Sequence, residues 1–337
     1  MGAGSEPGFM RPEIVRADGK GIRRAAAVLR RGGLVAFPTE TVYGLGAIAT
    51  QDVATARIFL AKGRPANNPL IVHLAALEQA LGFVWMDERA RRLAEAFWPG
   101  PLTLVLPLKT RSVISKLATA GLSTVGIRIP AHPVARKLLE LTGLPVAAPS
   151  ANPSGRPSPT RAEHVRADLG DAVDLILDGG PCPVGVESTV IDASDPERLV
   201  LLRPGGVPRE RLEKVAGVAV APLTDDGPVR SPGLVGRHYA PRRPLRLEAR
   251  AVAPDEALLA FGPEPLEGAR VMLNLSPAGD LEEAAANLFA MLRALDREGV
   301  RAIAVMPIPR EGLGEAINDR LQRAALPDTE ATGTAGA

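Results

Sequence analysis

Val35-Ala36-Phe37-Pro38-Thr39-Glu40-Thr41-Val42-Tyr43-Gly44-Leu45-Gly46 is the stretch on which the reading of this chain turns. It opens as a strand, because Leu34 to Phe37 is a short apolar run after the Gly32-Gly33 break. Pro38 has no N–H to offer a ladder and ends the pairing on that side. Two threonines, a glutamate and a tyrosine follow, closed by two glycines. Hydroxyls and a carboxylate at the end of a buried strand suit the floor of a polar small-molecule site, since open α/β sheets hold ligands beyond the carboxyl ends of their strands. A purely structural strand end is the other reading.

Working outward, Ile22, Ala25, Ala26, Val28 and Leu29 recur at helical spacing and predict a helix over 19–31. A second helix runs from Gln51-Asp52 to Lys62-Gly63. The loop Lys62-Gly63-Arg64-Pro65-Ala66-Asn67-Asn68-Pro69-Leu70 then presents two cations and two amides between prolines. The prolines restrict it, so holding a binding geometry costs less. Cations on a helix dipole would explain Lys62 but not Asn67-Asn68-Pro69. Ile71 to Leu74 is the next strand, and His73 inside it reads by itself as a core histidine. Val125 to Ile129 is a strand carrying Arg128. A guanidinium in an apolar strand must be met by a protein carboxylate or a ligand anion, and the ligand is preferred here. Leu144 to Pro149 feeds Ser150-Ala151-Asn152-Pro153-Ser154-Gly155-Arg156-Pro157-Ser158-Pro159-Thr160. Such small residues let backbone N–H groups approach phosphate oxygens. Thr160 with Glu163 also reads as a capping box. Val186 to Asp192 is a strand with a polar entry, and Leu199 onward is a strand ending on Arg203.

The chain has 337 residues, enough for two domains, with 46% hydrophobic and 23% charged residues and a net charge of +2. That balance does not point strongly to nucleic acid or membrane. A single cysteine, Cys182, excludes an intrachain disulfide and a Cys-rich zinc site. The four histidines show no H-E-x-x-H spacing. No signal-peptide core and no apolar run of about 18 residues is present, so a cytoplasmic protein is expected. The Pro/Gly-rich stretch 217–244 reads as a semi-rigid linker. Beyond it, strands near 257–261, 270–274 and 301–306 alternate with helices at 281–297 and 313–325. The expected organisation is a disordered N-terminus (1–16), an α/β domain (17–216), the linker (217–244), a smaller α/β domain (245–326) and a disordered tail (327–337).

No G-x-x-x-x-G-K-[ST] loop exists, which argues against a P-loop NTPase. Gly44-Leu45-Gly46-Ala47-Ile48-Ala49 fits a loose dinucleotide fingerprint, but no acidic residue stands about 20 positions on. Arg64, Arg128 and Arg203 supply positive charge from separate segments. Asn68, Thr124, Ser150, Asn152 and Ser158 supply neutral hydrogen bonds. That set suits a nucleoside triphosphate beside a small zwitterion. Cys182 lies between prolines without an evident base, so positioning and charge stabilisation fit better than a covalent intermediate.

The FPTETVYGL stretch from Phe37, Lys62-Gly63-Arg64-Pro65 with Pro69-Leu70, Ser150-Ala151-Asn152-Pro153-Ser154-Gly155 and Ser188-Thr189-Val190 occur together in this order. With them the chain resembles the YrdC-like threonylcarbamoyl-AMP synthases. Ser231-Pro232-Gly233 and His238-Tyr239-Ala240-Pro241, with a C-terminal α/β domain, resemble the family's long two-domain form. The resemblance covers roughly 17–326. It implies a twisted open mixed sheet with a concave cleft, plus a Rossmann-like C-terminal domain. It implies that L-threonine, bicarbonate or CO2, and ATP yield threonylcarbamoyl-AMP and pyrophosphate. The product would serve a tRNA threonylcarbamoyl transferase complex that modifies the adenosine next to the anticodon. It further implies a threonine site of Thr41, His73, Arg128, Ala148 and Ser188. ATP would be held by Arg64, Asn68, Thr124, Ser150, Asn152, Ser158 and Arg203, with His238 and Tyr239 folding back over it. Lys62, Arg64 and Arg203 would be catalytic, and Mg2+ would bind through the phosphates rather than through protein side chains. A weak RNA contact fits the basic rim. The alternative is a non-catalytic module of this fold that binds double-stranded RNA. Carbamoyl transfer as in hydrogenase maturation would need segments and cysteines this chain lacks.

Overall fold

The computed structural model describes residues 12–223 and 236–327. The first unit opens with β1 (Glu13–Arg16), α1 (Gly19–Arg30), β2 (Val35–Phe37), β3 (Gly44–Ile48) and α2 (Asp52–Lys62). It continues through β4 (Ile71–His73), α3 (Leu77–Phe83), α4 (Glu88–Phe97), β5 (Leu102–Pro107), β6 (Thr124–Arg128), α5 (Pro133–Thr142) and β7 (Val146–Ala147). It closes with α6 (Ala162–Leu169), β8 (Leu175–Asp178), β9 (Thr189–Asp192), β10 (Leu199–Arg203), α7 (Arg209–Ala216) and β11 (Val220–Pro222). The second unit holds β12 (Leu245–Arg246), β13 (Ala257–Ala260), β14 (Val271–Asn274), α8 (Leu281–Leu295), β15 (Ile303–Val305) and α9 (Leu313–Ala325).

Among the described residues the first unit forms an 11-stranded mixed sheet in the order β1-β8-β2-β3-β7-β4-β6-β5-β9-β10-β11. Local chemistry sets its boundaries. The Asp18 carboxylate caps α1 by accepting from the Lys20 and Gly21 N–H groups. Gly63 ends α2 in the left-handed region at φ 57, and Gly143 ends α5 at φ 70. Gly44 and Gly46 are strand residues rather than turn residues. A Cβ on Gly46 would stand 2.8 Å from Phe37 Cε1, so the glycine lets the Phe37 ring lie across its partner strand. Because β3 runs antiparallel to β2 with no helix after its first glycine, the fingerprint reading falls.

Three expectations need correction. Residues 13–16 are not disordered: the Ile14-Val15 pair makes a half-buried strand that pairs in parallel with β8. The first sheet also extends past 216, because β11 pairs with β10 and buries Val220. Thr160 does not cap α6. Arg161 holds the cap position with no side-chain bond, and the Thr160 N–H is given to His164 Nδ1. Ser231-Pro232-Gly233, the N-terminal residues 1–11 and the tail 328–337 lie outside the described residues.

The second unit is an all-parallel sheet, β12-β15-β13-β14. The apolar faces of α8 and α9 pack Leu288, Phe289, Leu292, Ile317 and Leu321 into a core that also takes in Val42, Val186 and Tyr239. The two units therefore share buried apolar contact. Gly185 sits at the seam with φ +75, and a Cβ there would stand 2.2 Å from Ala285 O on α8.

Candidate active site

The ends of β2, α2, β4, β6, β7, β9 and β10 converge on one cavity of about 40 Å³. Arg64, His73, Arg128, Ala148, Ser150, Ser188, Arg203, His238 and Tyr239 line it, as do Thr39, Val42, Ile71 and Glu187. The three arginines read from the sequence thus meet in one crevice.

On one side, β6 runs parallel to β4 and sets Arg128 opposite His73. Arg128 Nη2 donates to Glu40 Oε1 at 2.6 Å. Glu40 Oε2 in turn accepts from the Ala131 and His132 N–H groups. Burial raises the Glu40 carboxyl, but the charge and hydrogen bond of Arg128 outweigh it and hold the carboxyl below its usual range. Of the two partners that the sequence allows Arg128, the structure shows the protein carboxylate, Glu40, and not the ligand anion that was preferred. Arg128 Nε is nevertheless sealed from water without a partner. Burial, reinforced by Arg128, pushes the His73 imidazole down to about 3, so it is neutral. Ser188 Oγ lies 2.8 Å from Thr103 Oγ1.

On the other side, Arg64 donates only to neutral oxygens that the structure shows: Asn68 O and Oδ1 and Pro69 O, at 2.6–3.1 Å. Arg203 donates to Ser188 O and Oγ at 3.0–3.2 Å. Burial and the like charge of Arg203 push Arg64 down to about 9. Two buried guanidiniums that disfavour each other describe a place built for an anion.

The remaining predicted residues stand behind this lining. Lys62 is buried and donates to the Ser150 and Asn152 carbonyls, propping the loop. Burial, then Arg64, lowers its ammonium well below the usual value. Asn152 Nδ2 ties Pro153 O to Arg156 O across that loop, while its Oδ1 has no partner. Asn68 serves through Arg64. Ser158 donates to Glu187 Oε1. Thr41 Oγ1 bonds Thr39 Oγ1 at 2.8 Å, fully buried. Thr124 opens β6 and is not among the cavity-lining residues. Strand rise puts it roughly 13 Å from Arg128.

From the segment 236–244, His238 and Tyr239 enter the crevice. His238 N–H donates to Arg323 O in the second unit, and Ala240 N–H donates to Gly155 O in the first. Between them Tyr239 adopts φ 62, uncommon for a residue with a Cβ. Its ring packs 5.6 Å from Phe289 and 4.1 Å from the His238 ring. His238 Nδ1 and Tyr239 Oη are both sealed without partners. The His238 imidazole is pushed to about 3 by burial, which outweighs the opposing Glu187 charge with help from Lys62, Arg64 and Arg203.

Three further residues, Glu40, Glu187 and Arg320, bear on the site without a local sequence signal that assigns them a role. Glu40 was seen only as a polar floor group, although an acid beside a strand arginine offered a partner. Glu187 was read as part of a polar strand entry. Arg320, on α9, reaches Glu187 from 133 residues away. No local pattern could have shown it.

The chain matches two family models: the Sua5/YciO/YrdC model, described as "Telomere recombination", over residues 27–205, and "Threonylcarbamoyl-AMP synthase, C-terminal domain" over 207–326. It is 46% identical to the threonylcarbamoyl-AMP synthase of Pyrococcus abyssi, covering 90% of this chain and 94% of that one. With the threonylcarbamoyl-AMP synthase of Bacillus subtilis it is 44% identical over 90% and 92%. The crystal structure of P. abyssi Sua5 complexed with L-threonine superposes with a TM-score of 0.85 at 42% identity, covering 93% of this chain and 97% of that one. Matched over both units and through the stretch that joins them, this chain belongs to the two-domain form of the Sua5/YciO/YrdC family, the threonylcarbamoyl-AMP synthases.

Proposed function

We propose that this protein is an L-threonylcarbamoyladenylate synthase, a nucleotidyltransferase that makes threonylcarbamoyl-AMP and pyrophosphate from L-threonine, CO2 or bicarbonate, and ATP. One observation carries the reading. Arg128, with an unpartnered Nε, and the Arg64–Arg203 pair face a single crevice, one matched to a carboxylate and the other to phosphates.

In this reading Arg128 takes the threonine carboxylate, with neutral His73, Ser188 and the backbone at Ala148 forming the rest of that side and Thr41 behind it, bonded to the lining residue Thr39. The threonine ammonium loses a proton, the amine nitrogen bonds the carbon of CO2, and the nitrogen gives up a second proton to solvent to leave the carbamate. A carbamate oxygen then attacks the α-phosphorus, and the bond from that phosphorus to the bridging oxygen breaks as pyrophosphate leaves. Arg64 and Arg203 meet the charge that gathers on the phosphates. Lys62 keeps the Ser150–Asn152 backbone in place beside them. No group of three or more His, Cys, Asp and Glu that could hold a metal ion exists among the described residues. In this reading magnesium arrives with the nucleotide as MgATP, bound through the phosphates. A cavity of about 40 Å³ is far smaller than the pockets that hold ligands of nucleotide size. ATP entry therefore requires His238 and Tyr239 to withdraw and then return to exclude water from the mixed anhydride. The adenylate would pass to a transferase that modifies tRNA next to the anticodon.

Pyrophosphate release from ATP and bicarbonate should depend strictly on L-threonine. Release without threonine, or tight double-stranded RNA binding with no turnover at all, would replace the enzyme reading with the binding-module one.

A further inference from the structure

Glu187 poses a problem for the crevice just described. Glu187 is one of the residues that line the crevice, as are Ser188 and Arg203, where the proposed triphosphate must come. An uncompensated carboxylate there would repel the nucleotide. The first unit supplies Glu187 with Ser158, whose hydroxyl donates to Oε1, and with the nearby charge of Arg203. The remaining partner comes from the second unit: Arg320 Nε donates to Glu187 Oε2 at 2.7 Å. Arg320 is wholly buried, its guanidinium carbon lies 5.0 Å from the centre of the Tyr239 ring, and Nη1 bonds Asp319. A fully buried arginine that crosses a domain seam to reach one carboxylate on a binding crevice is not needed for packing, since an apolar residue would fill that core more cheaply. Burial would raise the Glu187 carboxyl, but Arg320 and Arg203, with the Ser158 hydrogen bond, hold it at about 2, so it is ionised and depends on those cations.

We propose that Arg320 is a positioning residue for the nucleotide: it neutralises and orients Glu187, so that the carboxylate anchors Ser158 instead of repelling phosphate. ATP binding in the first unit is thereby made conditional on the docked second unit. The inference rests on the ATP reading above, but its test does not require turnover.

The test is calorimetric binding of a non-hydrolysable ATP analogue with magnesium, and separately of L-threonine, to full-length wild type, Arg320→Lys, Arg320→Met and Arg320→Met/Glu187→Gln. Each protein is first checked for a wild-type circular dichroism spectrum. Arg320→Met should weaken the ATP analogue at least tenfold while threonine changes by less than threefold. Arg320→Lys should recover most of the loss, and Glu187→Gln in the methionine background should recover it too. The groups facing Glu187 are Arg203, His238 and Tyr239, with Lys62 and Asp319 beyond, and they are common to all variants. Once the Arg320 charge is gone, protonating Glu187 should relieve repulsion. Analogue binding by Arg320→Met should therefore tighten from pH 8 to pH 5 relative to wild type. A loss that neither Glu187→Gln nor acid relieves, or one shared equally by threonine, would mean that Arg320 only packs the seam and would overturn the proposal. Undiminished analogue binding by Arg320→Met would overturn it as well. If wild type binds the analogue and follows this pattern yet releases no pyrophosphate, the reaction assignment fails and the positioning role stands.

Discussion

At the residue scale, Arg128 shows how much a single side chain can declare. A guanidinium in an apolar strand demanded an anion, and the sequence offered two kinds. The structure uses one carboxylate of its own, Glu40, and leaves Nε over. Arg128→Ala would confuse these roles, because stripping a buried carboxylate of its partner is destabilising by about 3–5 kcal/mol. Arg128→Lys keeps a cation for Glu40 while removing the fork. Threonine affinity should fall by about 1–3 kcal/mol, with only a small change in melting temperature. Unchanged affinity by calorimetry removes Arg128 from the threonine site. The lining arginines, Ser150 and Ser188 were legible because a buried charge or a cluster of hydroxyls has to be explained. Glu187 was not, because its meaning depends on a partner from a distant segment.

At the scale of elements, hydrophobic period and glycine breaks place α1, α2, α8, α9 and most of the strands read to within a residue or two. Where they misled, tertiary contact won. Gly44 and Gly46 look like turn residues until Phe37 is laid across them, and β1 is held by its pairing with β8, a contact no local pattern reveals. The re-entrant segment 236–244 gives a pH prediction. His238 is neutral when docked, with a pKa of about 3 against about 6.5 for a solvated imidazole. Docking is thus fully supported above pH 6.5 and loses support as pH falls from there toward 3, because only the undocked form takes the proton readily. Amide exchange at 237–240 should speed up between pH 7.5 and 5.5, after correction for intrinsic rates, more than exchange in β5. In His238→Asn the excess should vanish. An equal response in both proteins removes His238 as the cause.

For the whole molecule, the two units were visible from the Pro/Gly-rich stretch between two runs of alternating strands and helices, but their seam was not. It is made by Gly185 against α8, by Val42, Val186 and Tyr239 entering the second core, and by Arg320 reaching Glu187. Each contact joins residues far apart in the chain, so no window of sequence contains it. Gly185→Ala should force the units apart, through the 2.2 Å clash with Ala285 O and through the positive φ, and should lower stability by about 2–3 kcal/mol. Calorimetric unfolding should split into two transitions where the wild type, with its shared core, should give one. A single unshifted transition would mean that α8 yields at no cost. The segment that enters the crevice carries a lesson for anyone wishing to jam this protein with a drug. A compound entering there competes not with dilute metabolite but with a tethered imidazole and phenol, whose local concentration is of millimolar order. A medicinal chemist would do better to imitate that resident pair, borrowing the seats already cut for it, than to copy the nucleotide.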